Sequence, residues 1–458
     1  MIGIGLDFGT SNSTAAWFDG SELHHVRLEP TGPVMPTAIH LDRGYVALTG
    51  SEAVKRYVEE NRGRRVEWVA EVIGQAASSI GEGESRNAEL ETQRRVIYGP
   101  LEDRGLPGRL FLGLKRLLGD RQLRRLTVFE RQYRLVALIT PILVRMHQEI
   151  EAQTGGRANG LHAGRPVNFE GAQHGANETA LARLTEAYGH AGFQALQFYP
   201  EPVAATLSYL WRARPAQQGL ALTVDFGGGT LDVSLVRYAG QHFNVLATDG
   251  IGLGGDRIDQ LIFTHCLFPL LGKGENWSRV VDGYPVETLF PFEQFETALL
   301  NWPITHTLNQ LRTKTLVVDR LSKGGPAAEK FARLNDLITY NYSYNCFQAI
   351  RVAKAALSEV ESTTIDIPEL NLVIPFNRAQ LEAILSDALQ ALSDLLDRLL
   401  AVANIAAPDV DIVIRTGGSS QIVAVRELLE RRFAGKVVAH DPFTSVASGL
   451  AIANHYGY

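Results

Sequence analysis

Leu220-Ala221-Leu222-Thr223-Val224 is an apolar, β-branched run. Asp225-Phe226-Gly227-Gly228-Gly229-Thr230-Leu231-Asp232 breaks it with three glycines between two aspartates, and Val233-Ser234-Leu235-Val236 resumes it. This reads as a strand, a tight polar turn and a return strand. The chain opens on the same pattern: Ile2, Ile4 and Leu6 alternate with glycines, Asp7-Phe8-Gly9-Thr10-Ser11-Asn12-Ser13 makes the turn, and Ala15-Ala16-Trp17-Phe18 returns. Asp7 and Asp225 lie 218 residues apart (225 − 7), so one such unit heads each half of the chain. Phe243 to Thr248 extends the second unit into a meander.

The turns carry a chemistry. Glycines let the backbone approach a ligand, consecutive turn amides point inward at an anion, and Thr10, Ser11, Asn12 and Thr230 add side-chain donors. An aspartate at each strand end repels a phosphate unless a divalent cation stands between them. Mg²⁺, which keeps most of its waters, bridges carboxylates and phosphates in that way. Either turn alone is an ordinary hairpin turn. As a pair at corresponding places they point to two hairpins gripping a β,γ-phosphate. Gly250-Ile251-Gly252-Leu253-Gly254-Gly255 also satisfies G-x-G-x-x-G. A dinucleotide fold needs a ribose-binding acid about 20 residues further on. That region is the loop-like Lys273-Gly274-Glu275-Asn276-Trp277, and no Walker lysine motif occurs.

Composition bounds the alternatives. The 458 residues are 45% hydrophobic and 21% charged, ordinary for a folded protein, and the net charge of −6 argues against nucleic acid as the main partner. Two cysteines, Cys266 and Cys346, are too few for a disulfide framework and lack zinc spacing. No window approaches a membrane span and the N-terminus lacks a basic leader, so the expectation is a cytoplasmic protein with no membrane partner. Residues 94–134 run against the overall acidity, with eleven Lys/Arg and four Asp/Glu. That reads as a solvated face or a wall turned toward an anionic ligand.

Between the two units, 51–110 reads as an inserted, largely helical excursion with a flexible joint at Ser78 to Glu84, and 265–345 as a second, aromatic-rich one. Helices are expected from Ile139 to Gln153, Gly175 to Ala191, Val423 to Phe433 and Phe443 to His455. Asn377 caps a long amphipathic helix through Leu399, and Arg214 to Gly219 is a polar break.

In motif order the chain resembles the ATPase domain of the heat-shock protein 70 (DnaK-like) family. It is most similar to the short bacterial members typified by YegD. The two turns match the family's phosphate motifs, and Gly254-Gly255-Asp256-Arg257-Ile258-Asp259 its next loop. Lys115-Arg116-Leu117-Leu118-Gly119 matches the setting of its catalytic lysine, Pro166-Val167-Asn168-Phe169 its proline switch, and Glu201-Pro202-Val203-Ala204-Ala205 its water-placing glutamate. The resemblance implies an α/β, actin-like ATPase fold of two lobes, each a mixed sheet flanked by helices, around a nucleotide cleft. It implies residues 1–219 in lobe I, 220–441 in lobe II, and 442–458 as a helix returning to lobe I.

It further implies ATP/ADP and Mg²⁺ as cofactors. Lys115, Glu201, Asp225 and Asp7 would be catalytic, with Asp7 and Asp225 holding Mg²⁺ through water. Gly9, Thr10, Ser11, Asn12, Gly227, Gly228, Gly229 and Thr230 would bind phosphate. Gly255, Lys354, Ser358, Gly417, Gly418, Ser419 and Gln421 would bind adenosine. The nucleoside side departs from the family. Arg351 stands where an acid meets the ribose, and Ala355 and Gln421 stand where arginines pack on adenine. Nine residues follow Gly449 in the closing motif (458 − 449), which sets the expectation of a member without its peptide clamp. Function then reads as a slow, Mg-dependent chaperone-type ATPase that meets a protein partner or client through the inserted segments. A nucleotide-gated scaffold or actin-like filament subunit, and a small-molecule kinase of the same fold, stay open beside it.

Overall fold

A computed structural model describes residues 2–79, 92–103, 105–156, 160–170, 175–213, 218–240, 242–281 and 283–458. Most of the expected joint at 78–84, and 214–217 of the polar break, lie outside them. The chain divides into two compact units. The first holds residues 1–59, 108–270 and 344–458, and the second 60–107 and 271–343.

The first unit is built on two sheets of one topology. In one, the strands run Leu196–Pro200, Leu161–Arg165, Gly3–Phe8, Asn12–Phe18, Leu23–His25, with Met35–Pro36 also paired to Asn12–Phe18. In the other they run Val437–Ala439, Ile412–Thr416, Gln218–Phe226, Leu231–Ala239, His242–Ile251. Each sheet begins as an antiparallel meander and continues on its other side with two parallel strands. The sequence repeat is therefore a structural repeat. His242–Ile251 is an antiparallel edge strand, which removes the parallel neighbour a dinucleotide fold requires.

The glycines of the opening strand have a packing reason. A Cβ at Gly3 would sit 2.2 Å from the Ala451 carbonyl oxygen, and one at Gly5 2.1 Å from that of Ala447. Both residues face the C-terminal helix Ser445–Tyr456, which is fully buried from Ser445 to Ala453 and lies directly on the strand. On another side that helix meets Glu201–Ala213, where a Cβ at Gly449 would fall 1.7 Å from the Ala204 carbonyl oxygen. This contact seats Glu201 at the head of its helix beside the first sheet.

Several elements differ from the sequence expectations. The excursion at 51–110 is not largely helical. One helix, Gly50–Asn61, is followed by strands Trp68–Ser79 and Thr92–Asp103 paired to each other, and then by Gly108–Leu112. The helix expected at Ile139 starts at Leu135 and runs to Thr154, leaving Pro141 within its second turn. Asn377 does cap a helix, through a reciprocal pair with Gln380, but that helix stops at Ile384 and a second one, Ser386–Ala403, carries the leucine stripe.

The second unit has its own aromatic core, in which Phe290 packs on Phe295 and Phe331 and Trp277 packs on Phe290. Its two stretches of chain are joined by Asn309, which donates through Nδ2 to the Arg64 carbonyl (2.7 Å) and accepts from the Val66 amide (2.8 Å). Among the described residues no helix is long and apolar enough to cross a membrane.

The helix–helix contact gives the first prediction. Gly449→Ala gains about 1 kcal/mol of helix propensity but meets the Ala204 backbone, so a net loss of roughly 1–3 kcal/mol is expected. Gly189 lies in the helix Ala176–His190 with nothing within 4 Å of its virtual Cβ. Gly189→Ala should therefore be neutral or stabilising. Urea unfolding of both variants checks the pair, and equal effects would contradict this packing.

Candidate phosphate and cation site

The two duplicated turns meet tip to tip within the first unit. A Cβ at Gly228 would lie 2.3 Å from Ser11 Oγ, and one at Gly229 2.6 Å from Thr10 Oγ1, so only glycine permits this approach. Gly255 and Asp256 then dock on the second turn, donating their amides to the carbonyls of Gly227 (3.0 Å) and Gly228 (2.9 Å). Ser419 Oγ donates to the Gly227 carbonyl (3.3 Å). The G-x-G-x-x-G stretch is thus spent on backbone contacts. Gly254 lies against Gly228 and Gly229, and a Cβ at Gly250 would fall 2.3 Å from Asp232 Oδ1.

Beneath the tips lies a buried group of charges. Lys115 sits in the short 3₁₀ turn Leu114–Leu117, entered through Gly113 at a left-handed φ of 62°. Its ammonium donates to Glu201 Oε1 at 2.5 Å, and the two residues are 3% and 8% exposed. Asp225 and Asp232 stand directly opposite each other in the antiparallel register, 9% and 2% exposed. Like charges in a cross-strand pair are unfavourable on a surface, and more so in a buried place. Asp232 Oδ1 accepts from the Val167 amide (3.0 Å), which ties the Pro166–Phe169 segment to the second hairpin. Asp7 Oδ1 is buried with no hydrogen-bond partner.

Asp7, Glu201, Asp225 and Asp232 thus crowd the Lys115 ammonium, with the half-buried Arg165 guanidinium also acting on Glu201 and Asp232, and the crowding shows in the acidities of the three aspartates. Burial, then the nearness of Glu201, pushes Asp7 up to about 7 against a weaker opposing pull from Lys115. Burial and Glu201 likewise raise Asp232 to about 7, although the Thr230 side chain and the Val167 amide bond its charged form. Asp225 is raised well above the ordinary carboxylate range, by burial first and then by Glu201, Asp232 and Asp7. Burial alone would lower the Lys115 ammonium, but Glu201, Asp7 and Asp232 outweigh it and hold it above its usual value.

This donor set suits a hydrated divalent cation. Among the described residues no three His, Cys, Asp or Glu side chains converge as direct metal ligands. An unpartnered Asp7 oxygen and excess buried negative charge nonetheless ask for a cation held through its waters.

Of the sequence candidates, Asp7, Lys115, Glu201 and Asp225 are brought together here, with Gly9 to Asn12 and Gly227 to Thr230 in the turns above. The candidates for adenosine spread more widely. Lys354 Nζ bonds Asp259 Oδ1 (2.5 Å) and reaches the Gly255 carbonyl (3.4 Å). Gly417, at φ 81°, passes beside the Phe226 backbone, and Gly418 lies beside the Phe443 ring. Ser358 lies in the turn after the helix Ser343–Ala356. Gln421 Oε1 accepts from Arg415 Nη1 (3.1 Å). Arg351 pairs with Asp259 at 3.0 Å.

Sequence reasoning passed over two participants. Asp232 stood in the quoted turn without a role, and the signal for it was its position opposite Asp225. Asp256 links the halves, accepting from Ser11 Oγ (2.9 Å) and from Arg116 Nη2 (3.1 Å). No local pattern carries that link.

Comparison with known proteins agrees with this geometry. A family model described as Hsp70 protein matches residues 117–272 and 345–455, more than half of the chain. The chain is 25% identical over 460 residues to the heat shock 70 kDa protein BIP3 of Oryza sativa, covering 98% of this chain and 56% of that protein. It is 25% identical over 456 residues to a Burkholderia thailandensis chaperone protein HscA homolog, covering 98% and 58%. Against a Synechococcus chaperone protein DnaK 3 the figures are 23% over 469 residues, 98% and 57%. The chain spans little more than half the length of these curated relatives.

The raised carboxyls predict a pH effect. A carboxyl whose pKa rises on folding favours the fold while protonated. Its contribution is present at low pH and is lost as the pH climbs from about 4 to about 7. Asp7→Asn removes one such group, so at about pH 8 it should stabilise the ligand-free protein by roughly 1–3 kcal/mol, converging with the parent near pH 4. Thermal unfolding across that range checks it, and a variant less stable at pH 8 contradicts it.

Proposed function

The chain belongs to the Hsp70 protein family, with the actin-like ATPase fold that this implies, and from that premise we propose that it binds Mg-ATP between its paired hairpins and hydrolyses it slowly. The single observation that carries the reading is the buried set of Asp7, Glu201, Asp225 and Asp232 around Lys115, beneath two glycine turns that present amides and hydroxyls. The setting is read as cytoplasmic, and the output as chaperone-type, delivered to a protein partner or client. Of the family's members, the chain is read as one of the short, YegD-like group.

Each residue has a stated task. Amides of Gly9 to Ser11 and of Gly228 to Thr230 bind phosphate oxygens and the Thr10 hydroxyl adds a donor, while the Gly227 amide closes its own turn on the Thr230 carbonyl and the hydroxyls of Ser11 and Thr230 turn to phosphate only by leaving Asp256 and Asp232. Lys115, fixed by its ion pair with Glu201, lends positive charge to the terminal phosphate and orients the attacking water. Glu201 holds the lysine in place and accepts from that water. Asp7 and Asp225 hold the cation's waters, and Mg²⁺ when bound neutralises phosphate charge and fixes the chain of phosphates. Asp232, tied to the Val167 amide, carries the state of the phosphate site to the Pro166–Phe169 segment. Lys354, Ser358 and Gln421, with Gly255 and Gly417 to Ser419, are read as the nucleoside side. With Arg351, Ala355 and Gln421 at the departing positions, base selectivity there is read as relaxed.

Lys115→Ala separates binding from chemistry. Phosphate release in single turnover is expected to fall by about 10²-fold or more, the cost of removing one preorganised charge from a transferring phosphoryl group. Lys115→Arg should recover little, because Arg cannot reproduce the compact ammonium held by Glu201. Parent-like phosphate release from Lys115→Ala would overturn the assignment.

A further inference from the structure

A second charged feature lies on the surface of the first unit and takes no part in the phosphate site. Arg183 holds the loop after Lys115 as a fixed platform: its guanidinium donates to the carbonyls of Leu117 (3.3 Å), Leu118 (2.8 Å), Asp120 (2.9 Å) and Leu123 (2.8 Å). Arg121, Arg124 and Arg125 stand exposed on that platform. Arg124 and Arg125 have no hydrogen-bond or ion-pair partner among the described residues.

The chain continues into the hairpin Leu126–Val128 and Arg131–Tyr133. There Arg131 stacks over the Tyr45 ring at 3.8 Å, and Arg43 over Phe129 at 4.8 Å. Tyr45 and Phe129 both occupy left-handed backbone, φ 63° and 53°, a costly place for an aromatic residue. The two strained turns hold the guanidinium groups over the rings.

The acids nearby are already engaged. Asp120 Oδ1 accepts from the amides of Gln122 (2.8 Å) and Leu123 (3.3 Å). Glu130 accepts from Tyr45 Oη (3.0 Å) and pairs with Arg43 (3.4 Å). Positive charge is thus left over on a rigid face of a chain whose net charge is −6. Guanidinium groups carried on an ordered loop favour bidentate carboxylates. Nucleic acid fits less well, since it draws on stacking as well as charge, and Arg131 and Arg43 already cover the rings here.

We infer that Arg121, Arg124, Arg125 and Arg131, set on the Arg183-bound loop and the adjoining hairpin, form a docking face for an Asp/Glu-rich segment of a partner protein.

The test uses the full chain and a fluorescein-labelled peptide of about ten alternating Glu and Asp residues, followed by anisotropy. Saturable binding is expected at low ionic strength, weakening about tenfold or more as salt screens the surface charges. Arg124→Glu/Arg125→Glu should weaken it at least about tenfold, and Arg124→Gln/Arg125→Gln less. Arg237→Glu/Arg431→Glu makes the same charge change at two other exposed sites and should stay within about twofold of the parent. Absence of saturable binding, a reversal variant that binds like the parent, or a labelled oligouridylate that binds as tightly as the peptide would each overturn the proposal.

Discussion

The ion pair between Lys115 and Glu201 is the interaction on which the rest of the site depends. A buried ion pair seldom stabilises a fold on balance, since desolvation consumes most of the Coulomb gain. Here the cost is compounded, because Asp7, Asp225 and Asp232 crowd the same space and four carboxylates outnumber the Lys115 ammonium and the nearby Arg165 guanidinium. Two of those carboxyls are displaced to about 7. A core selected for stability alone would replace the opposed pair Asp225 and Asp232 with apolar residues. Their presence makes sense if a divalent cation offsets the charge of both the carboxylates and a phosphate chain.

Glycine makes the assembly geometrically possible, and in each case through space more than flexibility. Gly250 leaves room for the Asp232 carboxylate, Gly254 lets the next segment lie on the second turn, and Gly228 and Gly229 let the two hairpins meet. Gly3, Gly5 and Gly449 do the same for the C-terminal helix, which locks the first strand and the Glu201 helix into one body. The residue at the head of that helix is the partner of Lys115. Backbone packing of the C-terminal helix therefore sets the position of the charge beside it.

Much of this was legible in the sequence. The duplicated strand–turn–strand units fixed the paired sheets, because apolar runs around a glycine turn admit few other readings. The paired turns single out Asp7 and Asp225, motif order adds Lys115 and Glu201, and the fold brings the four together. Periodicity failed where tertiary pairing overrode it. Trp68–Ser79 and Thr92–Asp103 scatter their β-formers, such as Val72, Ile73, Val96, Ile97 and Tyr98, among small and charged residues, and their ladder with each other is a contact that no local window contains. The break at Leu385 between two helices was hidden by an unbroken leucine stripe. Asp256 was missed because its partners Ser11 and Arg116 are 245 and 140 residues away.

Calorimetric titration of ATP at about pH 6.5–7, with and without Mg²⁺ and in buffers of different ionisation enthalpy, tests the central claim most directly, because Asp7 and Asp232 are partly protonated there. If the buried carboxylates exist to hold a phosphate-bearing cation, binding should require Mg²⁺ and release protons to the buffer, and the release should fall as the pH rises past about 7 and Asp7 and Asp232 ionise before binding. Equal affinity in the presence of a chelator, with no proton release at any pH, would contradict it.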